Sequence, residues 1–239
     1  MISKILIYVK DTNFLEEYRK VGISAFLFAL EDYSVGYETY SLEEIEKIDV
    51  NNKYILINRM LNCNDIDKLK AILPNIKTIK GIIYEDIGVY ELVKSLNIDV
   101  ELIYYQNHFG TNSSQINYWL NKVDSMFISN EITIEEVKEI LAKTNKPLCV
   151  NLYGHNQVMY SRRLLLSNWS ENFNIQYKNT NKITDIATKV GFIAHENEYG
   201  TVMYSEKIFN GKELLELPNI KFYYINTMFI EEKDIIEYL

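Results

Sequence analysis

Ile79-Lys-Gly-Ile-Ile-Tyr84, Gly88-Val-Tyr-Glu-Leu-Val-Lys-Ser-Leu96 and Val100-Glu-Leu-Ile-Tyr-Tyr105 follow one another with short breaks, and their order decides the fold. The first and third are β-branched and aromatic runs, the composition of buried strands. The middle one is amphipathic with a helical period. A strand, a helix and a strand in such close succession form a crossover unit, which joins parallel strands.

The same alternation extends in both directions. Strand runs are expected at Ile5–Val9, Ala25–Ala29, Tyr54–Ile57, Met126–Ile128 and Leu148–Leu152. Helices are expected at Asn13–Val21, Ser41–Ile48, Asp65–Leu73, Ser113–Lys122, Ile134–Lys143 and Ser161–Ser167. Ser41 with Glu44, and Thr133 with Glu136, have the spacing of capping boxes, and Pro74 stops the third helix. That makes seven strand–helix units, about 25 residues apart. After Ser170 the pattern changes. Lys189–Ala194 and Thr201–Tyr204 flank a turn at Asn197–Gly200, which reads as a β-hairpin. An eighth strand, Lys221–Ile225, leads into a terminal helix, Glu231–Leu239. Periodicity alone leaves two α/β architectures open: a closed (β/α)8 barrel with the hairpin inserted before its last strand, and an open doubly wound sheet. A single domain, residues 1–239, accommodates either.

Composition narrows the function. Of 239 residues, 47% are hydrophobic and only 9 are Gly and 3 Pro, which excludes a disordered or fibrous chain. The net charge of −8 argues against a bulk electrostatic grip on nucleic acid or on an anionic membrane, although a local basic patch stays open. Two cysteines, Cys63 and Cys149, cannot supply the four thiolates of an iron–sulfur cluster, so no cofactor is expected; a divalent metal has no supporting motif. Met1–Lys10 reads as a short strand rather than a signal peptide, and no apolar run is long enough to span a membrane, so a soluble cytoplasmic protein is expected.

In a barrel the chemistry sits at the C-terminal ends of the strands. Those ends carry Asp11, Glu31, Asp32, Asn58, Arg59, Glu85, Asp86, Gln106, His108, Asn130, Glu131, Asn151, His155 and Asn226. Any one of them could equally be a helix cap or a solvated group. The most unusual stretch is Tyr153-Gly-His-Asn-Gln-Val-Met-Tyr-Ser-Arg-Arg-Leu-Leu-Leu-Ser167. There Gly154 permits a tight exit, His155 titrates near neutrality, Ser161 caps the next helix, and Arg162 and Arg163 suit a carboxylate or phosphate. The plain alternative is a loop with two solvated arginines. A metal site would need His155, His195 and a carboxylate to converge, which the spacing does not show. There is no Gly-rich phosphate loop, GxSxG or HExxH, and neither cysteine lies in a nucleophile motif.

This stretch, followed by Glu198-Tyr-Gly-Thr201 and Asn210-Gly-Lys-Glu-Leu-Leu215, resembles the signature helix, "(R/E)YGT" hairpin and "S-K-D-L-C" segment of the collagenase-like peptidases, peptidase family U-thirty-two, in the same order. Glu85-Asp-Ile-Gly88 is similar to the family's "D-x-G", and Ser129–Glu136 to its "R-E-L-S-x-x-E-I"; Asn117 adds to the likeness. The resemblance implies a barrel-like α/β fold and peptidase activity by name. It also implies relatives that hydroxylate RNA bases or a quinone precursor without oxygen, on a four-cysteine iron–sulfur cluster. The matching positions here are Gln157, Leu164 and Leu215, and Asn168–Lys178 contains no Cys, so the cluster does not carry over.

Three readings of function follow. In the first, the chain is a peptidase or other hydrolase with its site at the barrel mouth. Glu131, His155 and Ser161 are then the catalytic candidates, with Glu131 or His155 as the general base. Arg59, Asp86, Tyr160, Arg163 and Glu198 are the substrate-binding candidates, with Arg163 holding a substrate carboxylate or phosphate. The ligand is a peptide or a small anion. In the second, the chain is a clusterless, non-catalytic binding or accessory barrel that works with a partner protein of the same family. A third reading is a binder of a small acid, held by Arg59 and Arg163.

Overall fold

A computed structural model describes residues 4–239; the reading of Met1–Lys10 as a strand falls partly outside these. The chain begins with β1 (Ile5–Tyr8), α1 (Leu15–Lys20), β2 (Ala25–Leu30), β3 (Thr39–Tyr40) and α2 (Leu42–Lys47). It continues with β4 (Lys53–Ile57), α3 (Cys63–Ile72), β5 (Ile79–Tyr84), α4 (Ile87–Ser95), β6 (Glu101–Tyr104) and α5 (Ser113–Leu120). Then come β7 (Ser125–Met126), α6 (Ile134–Ala142), β8 (Leu148–Gly154), β9 (Gln157–Ser161) and α7 (Leu165–Asn172). The last elements are β10 (Thr180–Thr184), β11 (Gly191–Asn197), β12 (Gly200–Ser205), β13 (Phe209–Asn210), β14 (Ile220–Ile225) and α8 (Glu232–Tyr238).

The main sheet runs β13-β8-β14-β1-β2-β4-β5-β6-β7, with β3 beside β2. Apart from the antiparallel β13, its pairings are parallel. It curls, so that the end of β7 returns to β8 at one parallel bridge, Phe127–Cys149, where Ile128 N–H donates to the Cys149 carbonyl at 2.9 Å. No helix among the described residues is long and apolar enough to cross a membrane.

Strand alternation sorts the core into two layers, because successive side chains point to opposite faces. Leu6, Tyr8, Leu27, Tyr54, Ile83, Ile103, Phe127 and Tyr224 form a cluster on the concave face. Their neighbours Ile7, Phe26, Ile55, Ile82, Leu102 and Ile225 face the other way and pack with the helices. Local chemistry sets the helix ends. Both expected capping boxes are present, and a third, Asn62 with Asp65, starts α3 two residues before the expected start. Buried Lys53 donates through Nζ to the carbonyls of Ile45, Glu46 and Ile48, closing the end of α2.

The inserted hairpin is β11–β12, as expected, but it belongs to a larger unit. β10 and β9 flank it to make a separate antiparallel sheet, β10-β11-β12-β9. This corrects the reading of Ser161–Ser167 as a helix. Gln157–Ser161 is an edge strand paired to β12, and the helix starts only at Leu165. Ser161 does not cap it. Its Oγ accepts from Arg163 N–H at 3.2 Å, whereas the free N–H groups of Leu166 and Ser167 are met by the Glu196 carboxylate at 2.7 and 2.9 Å. A cap supplied from a distant strand leaves no local sequence mark.

Candidate functional site

The concave parity continues past the strand ends, and this places the site. On β5, Ile83 faces inward, and Glu85 is two residues on. On β6, Ile103 and then Tyr105 face inward, and Asn107 follows. The ends are held side by side, because Tyr105 N–H donates to the Tyr84 carbonyl at 2.8 Å and Glu85 N–H to the Ile57 carbonyl at 3.1 Å. The Glu85 carboxyl has a buried Oε1 without a hydrogen-bond partner. With nothing to compensate the loss of water, burial pushes this carboxyl up to about 8.

Phenols fill the concave face nearby, and those of Tyr37, Tyr105 and Tyr204 feel the Glu85 charge. Tyr8, Tyr37, Tyr105, Tyr204 and Tyr224 are buried, and burial raises all five, so they are neutral donors at physiological pH. The Tyr8 hydroxyl donates to the Glu38 carbonyl at 2.6 Å and that of Tyr204 to the Gly36 carbonyl at 2.6 Å. The second of these bonds ties the small sheet down over the β2–β3 loop. Gly36 has φ 82, and a Cβ there would meet Tyr204 and Val202, so this approach requires glycine.

Of the residues singled out from the sequence, the structure brings Arg59, Tyr160 and Glu198 to one rim. The Arg59 guanidinium stacks on the Tyr199 ring, 3.6 Å from its centroid, and donates to the Asp32 carbonyl and, at 3.1 Å, to Asp65; its Nε has no partner. The Tyr160 hydroxyl donates to the Tyr199 carbonyl at 3.2 Å, and it feels the charges of both Arg59 and Glu85. Glu198 lines a cleft of about 250 Å³ together with Glu31, Asp32, Glu38 and His195.

The others lie elsewhere or have other work. Glu131 is exposed and meets His108 Nδ1 at 3.0 Å. Asp86 caps α4, with its carboxylate accepting from Gly88 N–H at 2.8 Å and Leu61 N–H at 2.9 Å. Arg163 is exposed. His155 follows Gly154 and is buried. Its Nδ1–H donates to the Ser205 carbonyl at 2.7 Å, which leaves Nε2 as the acceptor, and burial lowers its pKa so that the ring is neutral. His155 and His195 both pack against Phe229, and no group of three or more His, Cys, Asp or Glu among the described residues is arranged to hold a metal ion.

A four-thiolate cluster does not fit here. Cys63 is exposed on α3, and Cys149 lies in the concave core, its thiol pushed up to about 12 by burial. Gln157 is buried on β9, and Leu215 packs on the helix-side core.

Sequence reasoning weighed Glu85 only as one polar strand end and passed over the phenols. Parity was the available signal: Glu85 is in phase with Ile83, whereas Asp86 is in phase with the helix-facing Tyr84.

The model of Peptidase family U32 matches residues 28–221. The solved structure of the U32 peptidase Mk0906 aligns with 94% of this chain and 92% of its own length, at 12% identity and a TM-score of 0.51, a likeness in fold. A chitinase from Chromobacterium violaceum ATCC 12472 aligns at 9% identity and a TM-score of 0.48, covering 99% of this chain and 97% of that one. The spore cortex-lytic enzyme SleL of Bacillus cereus aligns at 10% identity and 0.48, covering 98% and 73%. Among curated proteins, none matches this sequence.

Proposed function

We infer the activity from two premises: this chain belongs to Peptidase family U32, and the mouth of its sheet carries a half-buried carboxyl, one oxygen of which is buried without a partner, that burial pushes up to about 8. The reading is a hydrolase of peptide or related amide bonds, with Glu85 as the proton carrier. The observation that carries it is the Glu85 carboxyl, because a general acid–base works best when its pKa lies near the operating pH. In its ionised fraction Glu85 takes a proton from water as the water oxygen bonds to the amide carbon. The same proton passes to the amide nitrogen as the C–N bond breaks, releasing an acid and an amine. Arg59, Tyr160 and Glu198 form the rim that receives the chain, and neutral His155 is a second acceptor behind it.

The same proposal takes the curled sheet as a closed (β/α)8 barrel, supported by the Phe127–Cys149 bridge between its outer strands. A cytoplasmic location belongs with it, in keeping with two unpaired thiols. The test is cleavage of fluorescein-labelled gelatin and of a mixed peptide library by the wild type and by Glu85→Gln. Cleavage by the wild type, reduced about 10²–10⁴-fold in the variant, supports the reading. Tight peptide binding with no cleavage under any condition would favour the accessory, non-catalytic barrel.

A further inference from the structure

We propose that the outer face of the small sheet docks on an anionic lipid surface. Strand alternation gives the sheet β10-β11-β12-β9 two faces. Ile193, Val202 and Tyr204 point to one side and pack with Val35 of the β2–β3 loop. Ala194 and Glu196 point to the other, where Glu196 meets the first N–H groups of α7. Ile183 pairs with Phe192, so it shares the α7 side. α7 buries Leu166 and Ser170 against the sheet. Leu165, Trp169 and Phe173, four residues apart, form a stripe that stays in water, Phe173 being 63% exposed. The chain then folds back over the helix: Ile175 N–H donates to the Ser170 carbonyl at 3.0 Å, and Tyr177 reaches Ser167 and Glu196. Ile175, Tyr177, Ile183 and Val190 are exposed as well, and Ile186 in the β10–β11 turn is 85% exposed.

The three aromatic rings alone leave about 300 Å² in water, the scale of a functional patch, and the aliphatic chains extend it. The charges name the partner. Residues 162–190 carry five cations, Arg162, Arg163, Lys178, Lys182 and Lys189, against Glu171 and Asp185, a net +3 in a chain of −8, which leaves −11 on the rest. All seven residues are exposed. Lys182 is paired with Glu206 at 3.2 Å, and among the described residues the other four cations have no ion pair. A basic, apolar, projecting face complements an anionic bilayer, which needs no matching pocket. Ile186 and Phe173 enter the acyl boundary, Trp169 and Tyr177 sit at headgroup level, and the Lys and Arg side chains reach the phosphates. A second copy meeting this face with its own would set +3 against +3, so charge selects against it. The mouth lies beyond the opposite face of the sheet, and docking leaves it free.

The fold supplies a probe for the test. The chain has two tryptophans; Trp119 is half-buried with its ring 4.4 Å from that of Tyr104, whereas Trp169 is exposed on the docking face. The full-length protein is titrated with vesicles of phosphatidylcholine, with and without phosphatidylglycerol, while tryptophan emission is recorded. Vesicles containing phosphatidylglycerol should shift the emission to the blue in a saturable way, less so as salt rises, and the shift should be absent in Trp169→Phe. Ile186→Asp should weaken binding, read by vesicle co-sedimentation, by at least about 10-fold. The double variant Lys178→Glu, Lys189→Glu should do the same. Both sets of changes are at exposed positions, so melting temperatures should stay near that of the wild type. Equal binding to phosphatidylcholine alone, or binding that neither variant weakens, overturns the proposal. So does a dimer that shields Trp169 and ignores vesicles, or binding of polyuridylate through these residues with none of vesicles.

Discussion

Replacing Glu85 by Gln should stabilise the protein, by an amount that grows with pH. In the unfolded chain this carboxyl titrates near 4.5, and in the fold burial moves it to about 8. Between these values the unfolded chain has released a proton that the folded chain keeps. The folded state therefore binds more protons, and stability falls as pH rises through the window. Each pH unit there costs about 1.4 kcal/mol, so at pH 7 the carboxyl costs the fold up to about 3 kcal/mol, and above pH 8 up to about 5 kcal/mol. Gln keeps the shape and cannot ionise. The assay is urea unfolding of both proteins at about pH 5, 7 and 9, reading the difference between them so that every other titrating group cancels. The variant should gain little at the lowest pH and more at each step. A difference independent of pH would mean that Glu85 ionises as freely in the fold as out of it, and the argument for a proton carrier would lose its basis.

Three further outcomes follow from particular contacts. Burial alone would raise the Glu196 carboxyl, but bonds from Ser167, Thr201 and the N–H groups of Leu166 and Ser167 outweigh it and hold the pKa below the usual value. Its contribution is therefore present above about pH 4.5 and lost as pH falls through the folded value, and Glu196→Ala should cost ~3 kcal/mol at neutral pH, as read by thermal melts at pH 7 and pH 4. Gly154→Ala should cost more than ~2 kcal/mol in chemical denaturation, since Gly154 has φ 124 and a methyl group there would overlap the Asn226 carbonyl; unchanged stability would mean that this strand exit is not constrained. With a thiol reagent on the native protein, Cys63 should react at once and Cys149 only on unfolding, because Cys149 is fully buried with its thiol pushed up to about 12.

What the sequence determined by itself is what short-range physics controls. The alternation of Ile79–Tyr84, the helical stripe after it and the run to Tyr105 specify strand, helix and strand, because burial of one face requires that periodicity. Ser41 with Glu44 and Thr133 with Glu136 mark helix starts for the same reason, with donor and acceptor three residues apart. The Asn197–Gly200 turn is legible as well. Family membership was carried by ordered motifs from Tyr153 to Leu215.

Only the tertiary structure decided the rest. Ser161 ends a strand because β12 lies beside it, and α7 is capped by Glu196 from 30 residues away. Asp86 and Glu85 are neighbours with equal chemistry, yet one is spent on backbone N–H groups and the other is left bare. Whether a polar group finds a partner depends on which distant strands converge on it. Its pKa and its availability for chemistry are therefore properties of the packed mouth, and local sequence carries no trace of them.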